Sequence, residues 1–130
     1  MKRDVPWLIA TLVACRLSLV TAEPAQVEQH DGLSVVFLEG SPAELGRQHG
    51  EALKVEVRRA TAALLGYFRT YLNIPLIRSV AANWWLDRSW VRANPFIPAD
   101  YLDELHALAS ASGVSLRDLW RVHAIPDRTY

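Results

Sequence analysis

A single cysteine, Cys15, is all the thiol this 130-residue chain carries. It cannot close an internal disulfide, and no cysteine pair exists to hold zinc. An excess of charge is missing too, since Lys plus Arg and Asp plus Glu each number 14. That balance excludes the basic face a nucleic-acid binder needs. The four histidines, His30, His49, His106 and His123, share no short ligand spacing, and no HExxH motif accompanies them. No metal site is therefore expected. No serine stands in a nucleophile-elbow pattern. Apolar residues are abundant at 51%, yet the leading run at 7–14, WLIATLVA, is well short of the ~20 residues that span a bilayer.

What is present begins with that run. Preceded by MKRD, it reads as an export signal. Two processing sites compete. Val20-Thr21-Ala22 offers small residues for cleavage after Ala22, giving a signal peptide over 1–22. Leu12-Val13-Ala14-Cys15 instead fits a bacterial lipoprotein box, in which Cys15 is acylated and becomes the new N-terminus. Arg16 interrupts the apolar core in the first version and lies past the cut in the second; an uncleaved segment is the third alternative. The first two predict an exported product, periplasmic, membrane-anchored through Cys15, or secreted.

The rest is at most one domain. Residues 23–32 are polar with turn formers and read as a tether. Residues 33–38, LSVVFL, read as a short strand between Gly32 and Gly40. No second convincing strand follows, so this one is expected to pair with something distant. Ser41-Pro42-Ala43-Glu44 is a helix start with a capping box. From there Leu45, His49, Leu53, Val57, Ala60, Leu64, Phe68 and Tyr71 recur at helical spacing, predicting one buried stripe of about seven turns. Asn73-Ile74-Pro75 should end it.

A second helix is expected over 76–90, burying Ile77, Val80, Ala81, Trp84 and Trp85, before the break at Asn94-Pro95. A third begins near Pro98, with Asp100, Asp103 and Glu104 at its positive end. It should bury Leu102, Leu105 and Leu108 or Ala109 and stop at Gly113. Ser115 to Asp118 then caps a short helix carrying Leu119, Trp120 and His123. The expected fold is a mainly α segment with one short strand and about four helices.

No complete active site is visible in these residues. Gly46 and Gly50 lie one turn apart on one helix face, at a cost of about 1 kcal/mol each against alanine. They predict either a closely packed backbone or a groove for substrate. His49, on the same stripe, is a buried hydrogen-bonded histidine or a pocket residue; it has no cysteine in the mature segment to activate. Trp84, Trp85 and Trp90 with Arg88 and Arg92 are core, an acyl-binding wall, or a patch pressed toward a membrane.

Three stretches together resemble a known family. Residues 40–50, GSPAELGRQHG, are similar to the opening motif of the acyl-coenzyme A:6-aminopenicillanic acid acyltransferase family, cysteine N-terminal-nucleophile hydrolases also described as isopenicillin-N acyltransferase-like. Residues 97–113 resemble its second helical motif. Residues 120–127 resemble the apolar turn and proline-aspartate that precede the nucleophile. The likeness spans residues 33–130.

The resemblance implies that 33–130 is the helical part of an αββα sandwich, truncated before its nucleophile. The nucleophilic cysteine would come just after Tyr130, so no catalytic residue is expected in this chain. That cysteine, freed by self-cleavage, would carry an acyl-thioester, its own α-amino group serving as base. Water is the expected acceptor outside the cytoplasm. No cofactor and no metal are required. The expected partners are the downstream nucleophile-bearing segment and a small acyl-amide substrate, with Gly46, His49, Gly50, Trp84 and Trp85 shaping the pocket. The alternatives are a self-contained helical lipoprotein that binds without catalysis, and a fragment without function.

Overall fold

A computed structural model describes residues 24–71 and 77–125. The export segment with Cys15 and Ala22, the expected break at 73–75, and the proline-aspartate end at 126–130 lie outside the described residues. Two strands and five helices make up the rest, so the chain is mainly helical with a short antiparallel sheet.

The sheet corrects the expectation of a lone strand. Asp31 and Gly32 take φ values of 50° and 82°, the pair of positive angles that a tight two-residue hairpin turn requires. They fold β1 (Gln26–His30) back on β2 (Leu33–Phe37), with Val27 opposite Val36 and His30 opposite Leu33. Half of the expected tether is thus strand. It was invisible as one because QVEQH has a single apolar residue and no alternation. The Asp-Gly pair was the readable signal.

Ser41 starts α1 (Pro42–Ala52) as expected. Its hydroxyl accepts from the Glu44 N–H, and its own N–H donates to the Glu44 carboxylate at 2.7 Å. The long helix expected beyond it is in fact two. Leu53 leaves helical geometry at φ −116°, ψ 33°, and α2 (Lys54–Tyr71) begins after it. The break resets the helical phase. On α2 the enclosed residues are Thr61 and Leu65, the latter 4% exposed, whereas Leu64 is 44% exposed. The stripe through Ala60 and Leu64 therefore does not face the core.

α3 (Arg78–Ala93) carries the larger correction. Ala82, Leu86 and Trp90 are buried, while Val80 and Trp84, expected inside, are 71% and 61% exposed. Apolar residues surround this helix on nearly every side, so periodicity cannot choose a face. Polar partners choose it. Asn83 accepts from Arg69 on α2 at 3.2 Å, and Asp87 accepts from two arginines on the last helix.

After a single 3₁₀ turn at Asn94–Phe96, α4 (Ala99–Ser112) buries Leu105, Leu108, Ala109 and Ser112. Gly113 closes it at φ 71°. The helix α5 (Leu116–His123) opens with Ser115, whose hydroxyl accepts from the Asp118 N–H at 3.0 Å. Trp90, Leu105, Leu108, Ala109 and Leu119 form the core, and the Trp90 and Trp120 rings stack at 5.4 Å.

Candidate functional site

The two glycines read from α1 lie beneath α4. A Cβ on Gly46 would overlap the Glu104 carbonyl oxygen and stand 3.0 Å from the Leu108 nitrogen. One on Gly50 would stand 2.9 Å from the Leu108 oxygen and 2.7 Å from the Ala111 Cβ. Backbone meets backbone along both turns. Gln48, buried between them in sequence, grips the chain that leads from the hairpin. Its Nε2 donates to the Glu39 carbonyl at 2.8 Å, and its Oε1 accepts from the Glu39 N–H at 3.1 Å. His49 is half-buried beside them.

Trp84 and Trp85 belong to a different layer. The main packing of α1 is with α4, whereas α3 packs on α5 and α2. Trp85 stacks on Phe68 at 5.6 Å, and Arg88 stands 5.9 Å above the Trp84 ring. On the same two helices, α2 and α3, Leu64, Tyr67, Val80 and Val91 are also exposed. The hairpin is equally uncovered: Leu33, Val35 and Phe37 share one face and all are exposed. Isolated exposed apolar residues are ordinary, but contiguous sets of this kind mark surfaces that something covers.

Charge is organised at the joint between α3 and α5. Arg121 Nε and Arg117 Nη2 each donate to Asp87 at 2.7 Å, and Arg121 Nη1 donates to Asp118 at 2.9 Å. The Arg121 hydrogen bonds, aided by Arg117, hold the Asp87 carboxyl at about 2, below its ordinary 3.8. The same contacts push Arg121 upward. An unfolded Asp87 takes a proton before the folded one does, so its stabilisation is complete above about pH 4 and fades between pH 4 and 2. Allowing for solvent screening, the effect is about 1 kcal/mol. Urea midpoints at pH 6 and pH 2.5 should show Asp87→Asn flattening this part of the acid response; an unchanged slope would assign it to other carboxylates.

A further polar site escaped the sequence reading. An open cleft of about 310 Å³ lies between α2 and the turn joining α4 to α5, lined by Arg58, Thr61, Leu65, Arg69, Val114 and Asp118 among others. Arg58 Nε donates to the Ser112 carbonyl at 2.8 Å. Arg69 Nη2 donates to Asn83 at 3.2 Å, and its Nε is buried without a partner. Among the described residues neither arginine meets a carboxylate. The signal was there: positions 58, 61, 65 and 69 recur at helical spacing, one residue out of phase with the apolar stripe.

Tyr101, edge-on to His123 at 5.8 Å, has its phenol pushed up by burial and by Glu104. It stays protonated at neutral pH and cannot serve as a base there. Among the described residues no group of three His, Cys, Asp or Glu could hold a metal ion, and no helix is long and apolar enough to cross a membrane. No protein-family profile, no curated protein and no solved structure matches the chain.

Proposed function

We propose that this chain is the pre-nucleophile part of an exported cysteine N-terminal-nucleophile amide hydrolase or acyltransferase, acting on an acyl-amide C–N bond. The observation that carries the reading is the pair of uncovered apolar surfaces. A two-stranded ribbon is marginal by itself in water, and β1–β2 exposes apolar side chains, while Gln48 ties its trailing end to α1 through Glu39. In an αββα sandwich such a ribbon joins a larger sheet, and the exposed flank of α3 lies against other elements.

Catalysis then belongs to a cysteine downstream of Tyr130. Its thiol attacks the amide carbon, the amine leaves with a proton, and water or an amine resolves the acyl-thioester. The freed α-amino group titrates near 7.7–8 and accepts the thiol proton. The described helices position and enclose. Of the pocket residues read from the sequence, Trp84 and Trp85 are free to line an acyl pocket, whereas Gly46 and Gly50 are occupied by α4 and His49 sits beside them.

A second reading rests on the Trp84–Arg88 pair. An aromatic ring with a cation above it, among exposed Val80 and Val91, also suits the surface of a membrane. A lipid on Cys15 would hold a non-catalytic binding module there.

One mass-spectrometric measurement separates the two. The product of the whole gene, isolated from its host, should appear as two polypeptides, the larger beginning with cysteine. Changing that cysteine to alanine should leave a single uncut chain without amidase activity. A gene with no cysteine within a few codons of Tyr130, yielding one stably folded lipidated product, would establish the binding module instead. The mature N-terminus in the same spectrum distinguishes acylated Cys15 from cleavage after Ala22.

A further inference from the structure

We propose that the outward side of α3 seats this protein on an anionic phospholipid surface, Trp84 entering the headgroup layer while Arg88 and Arg92 meet lipid phosphates. The inference rests on the second of the two functional readings and names the kind of surface that reading needs.

Three observations carry it. First, α3 is apolar on two sides. Ala82, Leu86 and Trp90 face the core. Ile77, at the cap, then Val80, Trp84, Arg88 and Val91 follow one another at three- and four-residue steps, which sets them on a single stripe about 21 Å long. Its four apolar members are between 52% and 71% exposed. A continuous set of this kind marks a surface that something covers.

Second, the unmatched charge beside this stripe has one sign. Arg88 and Arg92 are exposed, and among the described residues neither meets a carboxylate. Asp87 is the one acid of α3, and Arg117 and Arg121 already match it at 2.7 Å each. Two unmatched cations beside an apolar stripe complement anionic lipid, each worth about fivefold in affinity at such a surface.

Third, the side chains suit the boundary between water and hydrocarbon. Arg88 stands 5.9 Å above the Trp84 ring. An indole settles at headgroup level, and an arginine lays its stem along apolar surface while its guanidinium stays among phosphates. A protein partner would need a groove shaped to the helix, whereas a lipid surface accepts the stripe as it stands.

The product of the whole gene, isolated from its host, should be sedimented with phosphatidylcholine vesicles and with vesicles that are about one third phosphatidylglycerol. An acyl chain on Cys15 would hold to both alike, so the quantity read is the ratio of the two affinities. That ratio should exceed about fivefold in dilute salt and fall to about one in ~1 M salt, where screening is nearly complete. Arg88→Gln and Arg92→Gln should each lower it about fivefold. Arg47→Gln, on α1 and paired with Glu51, should leave it unchanged. Trp84→Ala should weaken binding to both kinds of vesicle. Trp84, Arg88 and Arg92 are exposed, so these variants should melt with the parent.

Equal binding to both vesicles, a preference that survives high salt, or full preference in the Arg88→Gln, Arg92→Gln double variant would overturn the proposal. Acylated Cys15 with equal binding would sink this inference and keep the lipoprotein reading. A chain that cuts itself before a cysteine yet prefers anionic vesicles would do the reverse, so the two fail separately.

Discussion

Gly46→Ala should destabilise the fold by about 2 kcal/mol, although alanine is the better helix former by about 1 kcal/mol. The added methyl would overlap the Glu104 carbonyl oxygen and crowd the Leu108 nitrogen. Both are backbone atoms, so no side chain can swing away; α1 and α4 must separate along their whole contact. Helices tolerate such separation poorly because interiors are packed to crystalline density.

Gly66→Ala is the internal control, since a Cβ there meets nothing within 4 Å. Its helix is already formed, so that change should stabilise by up to about 1 kcal/mol. Thermal melts of the two variants should move in opposite directions, Gly46→Ala downward by roughly 10 °C. A neutral Gly46→Ala would mean that α1 and α4 do not approach so closely.

The second large effect concerns α3. Leu86→Ala should cost about 3 kcal/mol, because Leu86 is fully enclosed and its removal leaves a cavity. Trp84→Ala on this chain alone should change stability by less than about 0.5 kcal/mol, the ordinary result for an exposed site. The larger side chain thus gives the smaller loss. Denaturant midpoints measure both. If Trp84→Ala proves the costlier of the two, the helix is rotated and the apolar face read from the sequence is the packed one. Repeating Trp84→Ala in the complete protein adds a second use. Under the proposed function the same change becomes costly there, because other elements cover the tryptophan.

Helix caps and stops were legible. Ser41 and Ser115 cap as their neighbours predict, Gly113 ends α4, and Leu105, Leu108 and Ala109 are inside. Each of these depends on residues within four positions of one another, where backbone geometry leaves few choices. The glycine pair was also legible as an unusually close approach, though not which element approached.

Long-range choices were less so. The single helix became two because α1 packs on α4, while α2 packs on α5, α3 and α4; Leu53 stands between them. The arginine cleft appears only when α2 meets the α4–α5 turn. Arg58 and Arg69 look like ordinary solvated charges in a linear reading.

By itself the sequence determined where α1 and α5 begin and where α4 stops, that α1 needs a bare face, and that charge is balanced. Those properties follow from side chains acting on their own backbone. Tertiary structure alone decided which side of α3 is inside and which arginines meet Asp87. An apolar residue is satisfied by any dry surface, but Asp87 is satisfied only where two guanidinium groups converge, and that meeting point exists only after the helices have packed.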